Sequence, residues 1–146
     1  MKKIFGRDIK DALSKTYRVY LCGNLSKPQV ELPCISDDNL EIGMSYYKEF
    51  TSDNPHFHTR ATEYNFILEG ESRVFLPDEI NGEQEYHFEK GGMFVLSPNT
   101  RYAFKHKAGT KILFIKCPGG NDKMLFKPDE KLKAWLSSWE VMFPEA

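Results

Sequence analysis

Two histidines one residue apart, His56 and His58, are followed by Glu63 and, after an apolar-rich run, by Gly70. In an extended segment, residues two apart project from the same face, roughly 6.5–7 Å apart along the chain. Both imidazoles can therefore present a nitrogen to one point. Residues 59–62 are few enough to turn the chain so that Glu63, opening the next strand, aims at that point too. Two neutral imidazoles and one carboxylate make a ligand set for a divalent transition metal ion. The set suits Fe, Mn, Ni, Co or Zn, so the residues point to a metal without naming it. A β-barrel is the scaffold that would hold such a set.

The rest of the composition agrees with one compact domain. A chain of 146 residues, 40% hydrophobic and 28% charged, is enough for a single core. Aromatics at 14% favour strands and a lined cavity. A net charge of −1, with basic and acidic residues interleaved, gives no footprint for nucleic acid and no polybasic membrane patch. No apolar run reaches the roughly 18 residues of a membrane span. Gly6, Arg7 and Asp8 interrupt the start before a secretory leader could form, so a cytoplasmic location is expected. Cys22, Cys34 and Cys117 lack metal or redox spacing and are expected to be buried free thiols.

The elements that must position the site come next. Ile9, Ala12 and Leu13 at helical spacing predict a short helix or arm in residues 6–17. Residues 18–22 read as a first strand, and residues 29–35 as an edge strand because Pro33 excludes a central one. Residues 51–55 read as a break before the histidines. From residue 40 to residue 117, short strand-like runs alternate with Gly and Pro, which argues an all-β barrel or sandwich. Residues 128–143 predict a helix. Pro128 and Asp129 stand at its start, and Leu132, Trp135, Leu136 and Trp139 form an apolar stripe for packing against the barrel or a partner subunit.

The pattern His56-x-His58-x4-Glu63-x6-Gly70 resembles the first motif of the cupin superfamily, small jelly-roll barrels with a metal in their mouth. Residues 91–104 resemble the second motif, with Gly91 or Gly92 in place and Pro98 one residue past the usual proline position. The resemblance implies a double-stranded β-helix barrel over residues 40–117, within one domain spanning 1–146. Residues 1–39 would be an N-terminal arm with edge strands, and residues 128–143 a C-terminal helix. It also implies a homodimer, for which the Trp135–Trp139 stripe and the N-terminal edge strands would supply the surface.

One departure bears on function. Where the family has its last metal-binding histidine, this chain has Tyr102, and the next histidine is His106. Four residues of strand span about 13 Å, so Tyr102 and His106 cannot both touch one ion without a bulge. Three readings follow. His56, His58 and Glu63 bind the metal alone, with Tyr102 behind them; or the Tyr102 phenolate is a fourth ligand; or the barrel binds its ligand without metal. Tyr102 and His106 are the acid/base candidates. Asn65, Ile67, Phe104 and one register of residues 44–48 are candidate lining. His87 is expected on the surface. The resemblance implies a small-molecule protein acting on or binding a small polar compound such as a sugar derivative. An iron-dependent dioxygenase and a non-catalytic binding module are the alternatives.

Overall fold

The computed structural model describes residues 1–143. Helix α1 (Gly6–Lys15) precedes β1 (Arg18–Cys22), β2 (Glu41–Tyr47), β3 (Thr51–His58), β4 (Thr62–Glu69) and β5 (Glu71–Phe75). Then follow β6 (Glu85–Glu89), β7 (Met93–Leu96), β8 (Tyr102–His106), β9 (Thr110–Cys117), β10 (Lys123–Leu125) and α2 (Glu130–Leu136). The strands form two five-stranded antiparallel sheets, ordered β1-β2-β9-β4-β7 and β10-β3-β8-β5-β6. This is the jelly-roll arrangement expected from the motifs.

Alternation along the strands decides what each sheet turns inward. On β4, Glu63, Asn65 and Ile67 are buried, while Tyr64 and Phe66 are exposed. On β9, Thr110, Ile112, Phe114 and Lys116 point inward. On β2 the inward register is Gly43, Ser45 and Tyr47. Gly43 is required there, because a Cβ would collide with the Phe114 ring. Gly70 closes the β4–β5 turn at φ +78°, and its bare Cα lies against Thr110. That explains the glycine of the first motif: an L side chain would be both strained and blocked. Tyr47, Ile67, Val74, Leu96, Tyr102, Phe104 and Ile112 make the core between the sheets.

Four expectations need correction. Residues 29–35 form no strand; the segment contributes one isolated bridge, Cys22 to Ile35, and Gln29 bonds the backbone of Tyr20 through its side chain instead. Residues 51–55 do not break the chain but begin β3, and a register shift between Asp53 and His56 absorbs Pro55 as a bulge. The C-terminal helix ends at Leu136, well short of residue 143. Buried Lys105 donates to the carbonyls of Trp135 (2.7 Å), Ser138 (2.8 Å) and Val141 (2.7 Å), which draws the chain out of helical geometry. The cysteines are free but not buried: Cys22 and Cys34 are half-buried and Cys117 is exposed.

The aromatic stripe of the C-terminal segment is spent on the chain's own barrel. Trp135 and Leu132 pack with Phe75 and Ala103 on the outer side of β5 and β8. Trp139 lies over Arg73 and His87. It is therefore closed to a partner. The exposed apolar pairs lie elsewhere, Tyr64 beside Val95 and Phe66 beside Met93 on the outer face of β4 and β7. Among the described residues, no helix is long and apolar enough to cross a membrane.

Candidate metal centre and cavity

Strands β3, β4 and β8 bring His56, His58, Glu63 and Tyr102 together at the wall of one cavity of ≈ 1140 Å³. All four are nearly fully buried. Both histidines are held from behind. His56 Nδ1 donates to the Asn54 carbonyl at 2.7 Å, and His58 Nδ1 donates to Asp122 Oδ1 at 2.8 Å. Such anchoring fixes the tautomer and sends Nε2 inward, as metal-ligating histidines require. The bulge before His56 has a direct role, because it supplies the Asn54 carbonyl and restores inward parity for both imidazoles.

Asp122 is the site residue that the sequence did not reveal. It sits just before β10, a strand also missing from the sequence reading, and β10 pairs with β3 over Lys123–Leu125. Its Oδ2 accepts from the backbone N–H of Arg60 (3.0 Å) and Ala61 (2.8 Å). Its Oδ1 faces His58 and the Lys116 ammonium, the latter at 3.2 Å. Burial opposes ionisation, but these donors win and hold the carboxyl well below the usual carboxylate range. Nothing local marks Asp122, because its partners lie about sixty residues away in sequence.

Counting protons at the centre defines its chemistry. Glu63 Oε2 accepts from Asn65 Nδ2 at 3.1 Å and from the Tyr102 hydroxyl at 2.8 Å. The same hydroxyl lies 2.7 Å from His56 Nε2, which is an acceptor because Nδ1 carries the proton. One phenolic hydrogen thus stands between two acceptors. Glu63 Oε1 faces His58 Nε2 at 3.5 Å. Burial opposes the charge on Glu63, but the neighbouring His58 and hydrogen bonds from Tyr102 and Asn65 keep it ionised. Burial also lowers His56. For His58, burial is overcome by Glu63 and then Asp122, so its pKa is raised. Burial and the neighbouring Glu63 charge push Tyr102 well above its usual value and keep it a phenol. The centre has more acceptors than protons, and a divalent cation fits such a donor set.

His106 is placed differently. It is wholly buried behind the wall, with Nε2 on Asp53 Oδ2 at 3.2 Å and Nδ1 on Ser72 Oγ at 3.0 Å. It stacks on Tyr47 with centroids 4.1 Å apart. Of the candidate lining residues, Asn65, Phe104 and Tyr47 reach the cavity, whereas Ile67 stays in the core. His87 lies on the outer face of β6, bonded to Glu71 at 3.0 Å. Glu71, His87 and Glu89 also form a possible metal-binding group, with donor atoms within 4.8 Å of one another. The barrel set is looser, with the Tyr102 hydroxyl wedged into it. The outer group is exposed, and Glu71 is already paired with Lys107 at 3.0 Å.

No protein-family model matches the chain, and no curated protein matches it in sequence. Solved structures do match in fold. The chain is similar to BH2720 from Bacillus halodurans, with TM-score 0.59, 10% identity, and coverage of 83% of this chain and 84% of that one. It is similar to the DMSP lyase DddQ from Ruegeria pomeroyi DSS-3, with TM-score 0.56, 17% identity, and 74% of this chain covered. The match spans half the length of DddQ. It is also similar to Streptomyces Pac13, a nucleoside dehydratase solved with uridine in several variants. There the TM-score is 0.52 at 14% identity, covering 62% of this chain and 71% of that one. The chain has the cupin fold.

Proposed function

We propose that this chain is a small metal-binding cupin that binds or turns over a small polar molecule in its barrel mouth. The observation that carries the reading is the acceptor-rich cluster of His56, His58 and Glu63 on the wall of a large cavity. In this reading the three residues hold a divalent transition ion and leave positions open for substrate. A bound ion would supply Lewis-acid polarisation of a carbonyl or hydroxyl oxygen. Asn54 and Asp122 hold the imidazoles in the ligating tautomer. Asn65 orients Glu63. Tyr102, kept as a phenol by burial and Glu63, would act as the proton donor to a substrate oxygen. His106 lies behind the wall and acts only through Asp53. A sugar derivative fits the mixed aromatic and polar lining.

The test is elemental analysis of unsupplemented protein together with calorimetric titration of Fe, Mn, Ni, Co and Zn. Near-stoichiometric metal that Glu63→Ala abolishes is expected. Metal-free protein whose melting temperature ignores all five ions overturns the reading.

A second reading rests on a specific contact. The Tyr102 hydroxyl already links His56 to Glu63. A metal-free barrel would use that relay to move a proton or to hold a ligand hydroxyl, and the same titration separates the two. The reading also carries a homodimer, with the Tyr64–Val95 and Phe66–Met93 pairs as the surface a second copy covers. Light scattering showing a 16.9 kDa particle at micromolar concentration would remove that element.

A further inference from the structure

The cavity wall opposite in character to the acceptor cluster is built around one cation. Arg18 enters from β1, whose register places it beside Ser45 of β2. Its Nε donates to Ser45 Oγ at 2.9 Å, and Nη2 donates to the Tyr47 hydroxyl at 3.1 Å. The guanidinium carbon lies 5.3 Å from the ring centroids of both Tyr17 and Phe114. Two protein bonds are made out of five possible N–H donors. Nη1 has both hydrogens unassigned and Nη2 has one, so an end-on fork remains available.

Among the described residues, Lys116 is the other cation of this cavity wall that is not exposed, and it is neutralised. Lys116 pairs with Asp122 at 3.2 Å and Glu41 at 3.8 Å. Arg18 has no carboxylate within 4.0 Å among those residues, and Asp53, which feels its charge, accepts its hydrogen bond from His106 Nε2. A half-buried guanidinium without a paired carboxylate is costly to maintain. Ser45, Tyr47 and two aromatic rings nevertheless fix its position in a wall shared with His56, Glu63 and Tyr102.

We infer that Arg18 is the anion-recognition subsite of this cavity and that the small polar ligand carries a carboxylate. The planar fork of guanidinium matches a carboxylate with two parallel hydrogen bonds. Asp53 on the same wall repels a doubly charged group more than a singly charged one, which favours a carboxylate over a phosphate ester. The ligand class is thus a small oxygenated acid, its carboxylate on Arg18 and a hydroxyl or carbonyl toward His56, Glu63 and Tyr102. The inference rests on the small-molecule reading above but does not need the ion.

The test measures binding by calorimetry and thermal shift for lactate, malate, citrate and glucuronate. Glycerol and glucose serve as neutral counterparts, and inorganic phosphate as the other anion. Wild-type protein is expected to bind at least one of the acids and neither phosphate nor the neutral compounds to a comparable degree. Arg18→Met is expected to weaken that acid roughly tenfold or more, and Arg18→Lys to recover part of the loss, since a charged hydrogen bond is removed and then partly restored. The ligand-free Arg18→Met protein is expected to melt no lower than wild type, because an unpaired buried charge has gone. Absence of binding by all four acids at 10 mM overturns the inference. So does equal binding by Arg18→Met, tighter binding of phosphate, or a loss of melting temperature in Arg18→Met that Arg18→Lys does not repair. Metal content is measured on the same samples. Acid binding that needs Arg18 in a protein without metal leaves this inference standing while the metal reading falls; metal uptake without acid binding does the reverse.

Discussion

The two ends of strand β8 carry similar side chains and opposite hydrogen-bond balances. At one end His106 is closed on all sides: Ser72 donates to Nδ1, Nε2 donates to Asp53, and Tyr47 covers the ring. Burial lowers its pKa against the opposing pull of Asp53, so a neutral imidazole satisfies every partner. At the other end Tyr102 has one proton for His56 and Glu63, while His58 approaches the same carboxylate. Burial alone does not make a site, since both ends are buried. What distinguishes them is that one network is complete and the other leaves two acceptors sharing one proton. A buried polar network that is complete specifies the fold, whereas an incomplete one marks chemistry.

The largest test of this contrast exchanges the two ends. Glu63→Gln combined with His58→Ala is expected to lower bound metal at least tenfold by elemental analysis, whereas His106→Leu leaves metal content unchanged. Conversely, His106→Leu leaves Ser72 and Asp53 without their partner and is expected to cost about 3 kcal/mol in urea denaturation. If His106→Leu loses metal as fully as the double variant, the two ends are one unit and the contrast fails.

An intermediate effect is expected from the anchor behind His58. Asp122→Asn keeps the shape but removes the charge that fixes the imidazole, and metal affinity should fall roughly 10- to 100-fold. A smaller effect is expected for Tyr102→Phe. Removal of its hydroxyl leaves His56 and Glu63 facing each other, so the metal-free protein should lose about 1–2 kcal/mol. Metal affinity, by titration, should stay within about threefold if the phenol only stands behind the ligands. A tenfold loss would instead make Tyr102 a ligand.

The smallest effect concerns pH. Asp122 is depressed in the folded state, so its contribution is present above the unfolded value near ~4 and is lost as pH falls. His58 is raised, so its contribution is present below ~6.5 and is lost as pH rises through its folded value. In chelator-treated protein, the stability difference between wild type and Asp122→Asn should therefore be widest between about pH 4 and 6.5. A difference that grows above pH 7 would show that the pair is not coupled as drawn.

Local sequence determined the parts of this protein that depend on short-range rules. The two-residue spacing of His56 and His58, the carboxylate at 63 and the glycine at 70 each obey backbone geometry within a few residues. The regular Gly and Pro punctuation between residues 40 and 117 did the same for the barrel. Even Tyr102 was visible as a departure from the expected histidine. Residues 29–35 misled because Gln29 satisfies the backbone of Tyr20 with its side chain, a choice that strand propensity does not contain. The extent of the last helix misled because Lys105, far back in the chain, takes its final carbonyls.

Tertiary structure alone decided which side chains complete the centre. Asp122 reaches His58 across 64 residues, and β10 pairs with β3 to bring it there. Arg18 enters the cavity because β1 pairs with β2, and among the described residues it has no carboxylate within 4.0 Å, Asp53 facing His106 instead. Such relations arise from register between distant strands, where a one-residue slip reverses every side chain. The sequence could name the candidate ligands that neighbour one another along the chain. Strand pairing and the packing of the two sheets chose the residues behind them and the charge opposite them.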